Sequence, residues 1–183
     1  MGDRTDLLTL PTFAGEELVH VVIESPRGST SKFKYDPQLG VMTLSRPLPL
    51  GLVYPYDWGF VPSTRAPDGD PLDAFVMWES SGYPGVTLPC RPIGVLRVEQ
   101  TNEQSHRRER NDRMAVLPAT APRWDAVQSV FDLHERVRME LEQFFVAVTA
   151  FEGKELKILE WAGRSEAMDL VRSSQIRQPS HAR

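Results

Sequence analysis

From residue 17 to residue 98 the chain is a series of short apolar runs, each closed by proline or glycine, and this punctuation constrains the fold more than any other feature. Leu18-Val-His-Val-Val-Ile23, Gly40-Val-Met-Thr-Leu44, Ala74-Phe-Val-Met-Trp78 and Ile93-Gly-Val-Leu-Arg-Val98 carry the β-branched and aromatic enrichment of strands. Ser25-Pro26-Arg27-Gly28 and Ala66-Pro67-Asp68-Gly69 supply tight turns between them. Many short strands with short connections favour a closed or strongly curved sheet over an open one.

After Arg123 the period changes. Val127, Val130, Phe131, Leu133 and Val137, then Leu141, Phe144, Phe145 and Val148, recur at three and four residues, which predicts about 20 residues of amphipathic helix with Asp125 or Asp132 as caps. Glu155 to Glu160 alternates as a strand does, and Ser165 to Ile176 reads as helix. Glu99 to Arg113 is polar and without period, so it is expected to be a loop joining two strands, and the tail from Gln178 is expected to fray. The expectation is therefore an α+β chain, mainly β, forming a single domain over 1–183 with a core at about 17–175.

Charge and cysteine usage narrow the function. A formal charge of −4 argues against a dedicated nucleic-acid binder, and Arg107, Arg108 and Arg110 are too few and too interspersed with acids to reverse that. Cys90 stands alone, so no disulfide framework forms within the chain and a reducing compartment is expected. No basic start leads into an apolar run and no 18 apolar residues are consecutive, so neither a leader nor a membrane contact is expected and the cytoplasm is the expected location.

The densest chemical signal is Asp68-Gly-Asp70-Pro-Leu-Asp73. Three carboxylates in six residues, bent by glycine and proline, offer hard oxygen ligands around one point, which is what Mg²⁺ or Ca²⁺ requires. Asp-Gly and Asp-Pro also form ordinary acidic turns, and spacing alone leaves both readings open. A calcium loop between two helices is disfavoured, because Pro71 and the flanking strand-like runs do not fit one.

This run matches in full the Asp-x-Asp-Pro-hydrophobic-Asp signature of the family I soluble inorganic pyrophosphatases, which the chain resembles. Other landmarks follow in the family's order: Val22-Ile-Glu24-Ser-Pro, Lys32-Phe33, Arg46 after a hydrophobic strand, and Tyr54-Pro-Tyr-Asp-Trp-Gly59-Phe. Cys90-Arg-Pro-Ile-Gly-Val-Leu96, Met114-Ala-Val-Leu-Pro118, Phe144-Phe145 and Glu160-Trp161 also have counterparts. The resemblance implies a five-stranded Greek-key barrel of the oligonucleotide/oligosaccharide-binding type with flanking helices. It implies Mg²⁺-dependent hydrolysis of pyrophosphate or a related phosphoanhydride, and a homo-oligomer. At matching positions, Asp68 and Asp73 would hold Mg²⁺, Glu24 would support a metal through water, and Asp70 would help deprotonate the attacking water. Lys32, Arg46 and Arg113 would hold phosphate oxygens, Arg113 standing where the family has a lysine.

The chain also departs from the family. Gln100 and Asn111 stand where two further metal-binding aspartates are usual, Lys34 where a glutamate is usual, Trp58 where a tyrosine is, and Val148-Thr149 where a Tyr-Lys phosphate clamp is. Glu99, Glu103, Glu109 and Asp112 are candidate replacements for the lost anions, with Asp112 turned the wrong way by strand parity. His106-Arg-Arg-Glu-Arg110 offers replacement cations. Two functions follow: a hydrolase of pyrophosphate, or a catalytically weakened relative that keeps a metal or phosphate site for binding.

Overall fold

The computed structural model describes residues 6–102 and 105–176. Among the described residues nine strands run as β1 Val19–Ser25, β2 Ser31–Asp36, β3 Val41–Pro47, β4 Asp57–Val61, β5 Leu72–Val76, β6 Thr87–Thr101, β7 Arg108–Arg110, β8 Arg113–Pro118 and β9 Lys157–Ala162. Two helices, α1 Glu135–Thr149 and α2 Arg164–Ser174, flank β9 in the sequence.

Five strands close on themselves. β1 pairs with β4, β4 with β5, β5 with β8, β8 with β6, and β6 returns to β1, every pair antiparallel except β5 with β8. Closure leaves these strands no free edge, which the short, turn-bounded runs foreshadowed. β2 and β3 form a separate hairpin, and β7 and β9 extend β6. The period of two along the strands divides the core. Val21, Ile23, Ala74, Val76, Met114 and Val116 pack with Ala167 and Val171 of α2, whereas Phe75, Met77, Ala115 and Leu117 pack with Leu141, Phe145 and Val148 of α1. Gly59 is required on β4, because a Cβ there would collide with the backbone carbonyl of Val22 on β1. Cys90 is buried, and burial pushes its thiol well above its ordinary value.

Three local readings differ from expectation. The apolar repeat after Arg123 forms isolated turns at Pro122–Trp124 and Val130–Asp132 before α1 begins at Glu135. Asp132 caps this segment, but over a single turn, its carboxylate accepting from the N–H groups of Gln128 and Ser129 at 2.8 Å each. Helical spacing therefore marks which residues face the core without the backbone being one helix. The polar stretch is a hairpin rather than an open loop, since β6 runs on to Thr101 and β7 pairs back against it. The strand expected from Glu155 starts at Lys157 instead, and Glu155 takes a positive φ of 43°. The expectation for the tail from Gln178 and the candidate role of Glu103 lie outside the described residues. Among the described residues no helix is long and apolar enough to cross a membrane.

Candidate active site

The acidic run divides into a turn and a strand. Asp68 accepts the Asp70 N–H on Oδ1 at 3.1 Å, and Gly69 takes the positive φ of 92° that this tight reversal needs. Asp73 already lies in β5, in register with Phe60 on β4 and Arg113 on β8. Glu24, near the end of β1, is buried and receives the Tyr35 N–H at 2.9 Å. Glu24, Lys34, Asp70 and Asp73 line one cleft, with Asp68 close enough to Asp73 for the two charges to repel.

These carboxylates are held against their preference for water. Burial, then repulsion from Asp73, pushes Asp68 up to about 6; burial pushes Glu24 up to about 7 despite the Tyr35 hydrogen bond. Burial raises Asp73 too, against the pull of Lys32 and Arg113. Among the described residues no three Asp, Glu, His or Cys side chains are gathered closely enough to hold an ion by themselves. Lys34 Nζ lies 3.1 Å from Asp70 Oδ2 within this cluster, and the charge of Lys32 also acts on Glu24 and Asp73.

On its other side Asp73 borders a cavity lined by Lys32, Arg46, Tyr54, Arg113, Glu152 and Lys154. Lys32 and Arg46 are cross-strand partners on the β2–β3 hairpin, so one local element carries both. Burial pulls Lys32 down to about 8. Arg46 donates to the Val148 carbonyl at 3.2 Å and pairs with Glu152, whose other carboxylate oxygen is 2.9 Å from Lys154 Nζ. Arg113 is buried, and neither Nε nor Nη1 has a hydrogen-bond partner among the described residues. Its guanidinium carbon lies 4.3 Å from the Phe145 ring centre and 5.5 Å from that of Trp58, and burial lowers its pKa to about 10. Donors left free in a buried cation, beside a cavity, are positioned to receive an anion.

The departures from the family pattern fall here as well. Gln100 and Asn111 line the same cavity as Asp73, so two neutral amides face it. Trp58 joins an aromatic cluster with Tyr54 and Phe145, and its buried Nε1 has no partner among the described residues. Thr149 turns its hydroxyl back onto the Phe145 carbonyl at 3.0 Å. Of the candidate replacements, Asp112 is engaged by Arg110 and the Val98 N–H, and Glu99 faces Arg108 at 3.9 Å. Glu109 bonds Asn102 at 2.9 Å, and its charge reaches Asp68. Arg108 and Arg110 are likewise turned to these local partners rather than to the cavity. Sequence reasoning overlooked Glu152 and Lys154; the Glu152-Gly-Lys154 turn immediately after an amphipathic helix was the available signal. Another missed carboxylate, Asp57, is structural: it accepts from Arg27 N–H, Gly82 N–H and Trp78 Nε1 at 2.7–2.8 Å and so fastens two loops.

Comparison with known proteins gives a consistent result. The inorganic pyrophosphatase family model matches residues 21–178. The inorganic pyrophosphatase of Thermus thermophilus is 40% identical over 162 residues, covering 86% of this chain and 88% of that protein; that of a Synechocystis strain is 35% identical over 166 residues, covering 91% and 95%. The crystal structure of the Thermus thermophilus inorganic pyrophosphatase superposes with a TM-score of 0.84 over 93% of this chain and 97% of that one, at 38% identity. With the closed barrel, the acidic run and the cationic cavity in place, the chain belongs to the inorganic pyrophosphatase family.

Proposed function

We propose that this protein hydrolyses inorganic pyrophosphate to two phosphates, with Mg²⁺ as its cofactor. The observation that carries this reading is the position of Asp73 between a cleft of carboxylates and a cavity of cations that includes the buried Arg113, whose Nε and Nη1 have no hydrogen-bond partner among the described residues. A substrate with four anionic oxygens at its ends and one scissile P–O–P bridge suits that division. Lys32, Arg46 and Arg113 bind phosphate oxygens, Arg46 as a planar fork once it exchanges Glu152 for the substrate. Asp70, which is exposed at the tip of its turn, accepts a proton from the attacking water on its carboxylate. Water attacks one phosphorus, the bridging bond breaks, and the other phosphate leaves with the electron pair.

The residues fit a magnesium ion. The donors are hard carboxylate oxygens, and Asp68, Asp73 and Glu24 all resist ionisation in the bare protein, a cost that a divalent cation relieves. Mg²⁺ keeps several waters and relies on one or two carboxylates plus substrate phosphates, so a full protein cage is not needed. When bound, it supplies charge neutralisation and lowers the pKa of water. Asp68 and Asp73 would hold it, with Glu24 supporting through water.

A weakened, binding-only relative is the second reading, favoured by the neutral Gln100 and Asn111 facing Asp73 and by the engagement of Arg46 with Glu152. Phosphate release from pyrophosphate by purified protein, with Mg²⁺ and then Mn²⁺, beside an Asp70→Asn control, separates the two. Turnover lost in the control establishes the hydrolase; folded protein with no release above the control under either metal rejects it. We further infer that the chain acts as one domain in the cytoplasm, supported by its lone buried Cys90, and associates with copies of itself, supported by exposed Leu44, Leu50, Phe131 and Met139. Sedimentation velocity tests the last point.

A further inference from the structure

We propose that Lys34 is a built-in cation of the carboxylate cleft, its ammonium held at Asp70 where it opposes a divalent ion at the neighbouring carboxylates. The inference rests on the reading of Asp68, Asp73 and Glu24 as the metal-holding group. Residues 32 and 34 on an ideal strand would point the same way. In β2 they stay close enough for their charges to repel, with Lys32 lining the phosphate cavity and Lys34 the adjoining carboxylate cleft, both of which Asp73 borders.

There the ammonium reaches Asp70 Oδ2 at 3.1 Å, and Asp73 and Glu24 also attract it. It is thus the cation among three carboxylates that share one cleft. Gln100 and Asn111, in the adjoining cavity that Asp73 also borders, are neutral amides and add no charge of either sign. As a stabilising ion pair the contact is worth little, because both side chains are about half exposed, 48% and 64%. Its consequence lies in binding. An ammonium and a divalent ion drawn to the same carboxylates repel one another, and such coupling is reciprocal: whatever the ammonium costs the metal, its removal restores. Lys34 in this account is a positioning residue. It holds Asp70 toward the cleft and lowers the cluster's demand for metal.

The test is calorimetric titration of Mg²⁺ into the full-length, metal-free protein without substrate, comparing wild type with Lys34→Met and Lys34→Glu and using thermal unfolding to show that each is folded. Lys34→Met removes the ammonium without adding a ligand, so it is expected to bind Mg²⁺ about ten-fold tighter than wild type. Lys34→Glu is expected to bind more tightly still and to take up an additional ion. Wild type and Lys34→Met binding with equal affinity and stoichiometry would overturn the inference while leaving the metal site intact. Absence of binding by every variant, Lys34→Glu included, would overturn both the inference and the metal-site reading beneath it. If Lys34→Met fails to fold, Lys34→Gln makes the same comparison.

Discussion

Replacing Arg113 by methionine should make the bare protein more stable and deprive it of phosphate. Burial holds the guanidinium at about 10, well under its ordinary value, which corresponds to a penalty of about 3 kcal/mol on the charged form at neutral pH. The Phe145 and Trp58 rings return about 1 kcal/mol of this by cation–π attraction. Methionine is flexible and fills a comparable space, so packing against Phe145 is largely kept. The net expectation is a gain of roughly 1–2 kcal/mol, because the lowered pKa already includes the attraction of Asp73, and Lys32 stays beside that carboxylate when Arg113 is removed. For a chain of this size the gain raises Tm by about 3–6 °C. Urea and thermal unfolding in a chelator at pH 7 measure it. Repetition with millimolar phosphate should stabilise wild type and leave Arg113→Met unmoved, because only a ligand bound to the native state shifts its stability. A variant at least about 1 kcal/mol less stable than wild type, yet still stabilised by phosphate, would refute the argument and make Arg113 a structural residue.

Other perturbations follow from the same geometry. Glu152→Gln removes the anion that engages both Arg46 and Lys154, so the KM for pyrophosphate should fall about three- to ten-fold with stability little changed; an unchanged or higher KM would show that Glu152 instead orients the two cations for substrate. Lys32 is charged below about 8 in the free protein, and only its charged form attracts phosphate, so kcat/KM should decline as pH rises through that value. Lys32→Arg, which stays protonated throughout, should carry the plateau to higher pH, and an alkaline limb that does not move would assign it to another group. Gly59→Ala cannot be accommodated without separating β4 from β1, and a loss of about 3 kcal/mol or more is expected from the urea midpoint, against well under 1 kcal/mol at an ordinary strand glycine.

The strands and the acidic signature were legible because they are local. Val19 to Ile23 and Ala74 to Met77 announce themselves by side-chain type, and Pro and Gly mark where they stop. The segment before α1 was not legible as drawn: Val127, Val130 and Leu133 have helical spacing, but the Ser129–Asp132 capping box closes a single turn there, and periodicity does not distinguish successive turns from a helix. The β6–β7 hairpin escaped notice for a related reason. Its residues are polar on both faces, so alternation gives no signal, and only the pairing of Gln100 with Glu109 shows the strand.

Sequence alone determined the chemistry available to this protein: which carboxylates, which cations, and which family pattern they follow or break. Tertiary structure decided which of them meet. Asp73 and Arg113 are forty positions apart in the chain and become neighbours because β5 and β8 pair in parallel; Lys32 and Lys34 are two apart and line two adjoining sites that meet at Asp73. Arg46 finds Glu152 only when the hairpin reaches the end of α1. Side-chain type is a property of the residue, whereas burial, pKa and ion pairing depend on the distances and the dielectric that the closed barrel imposes.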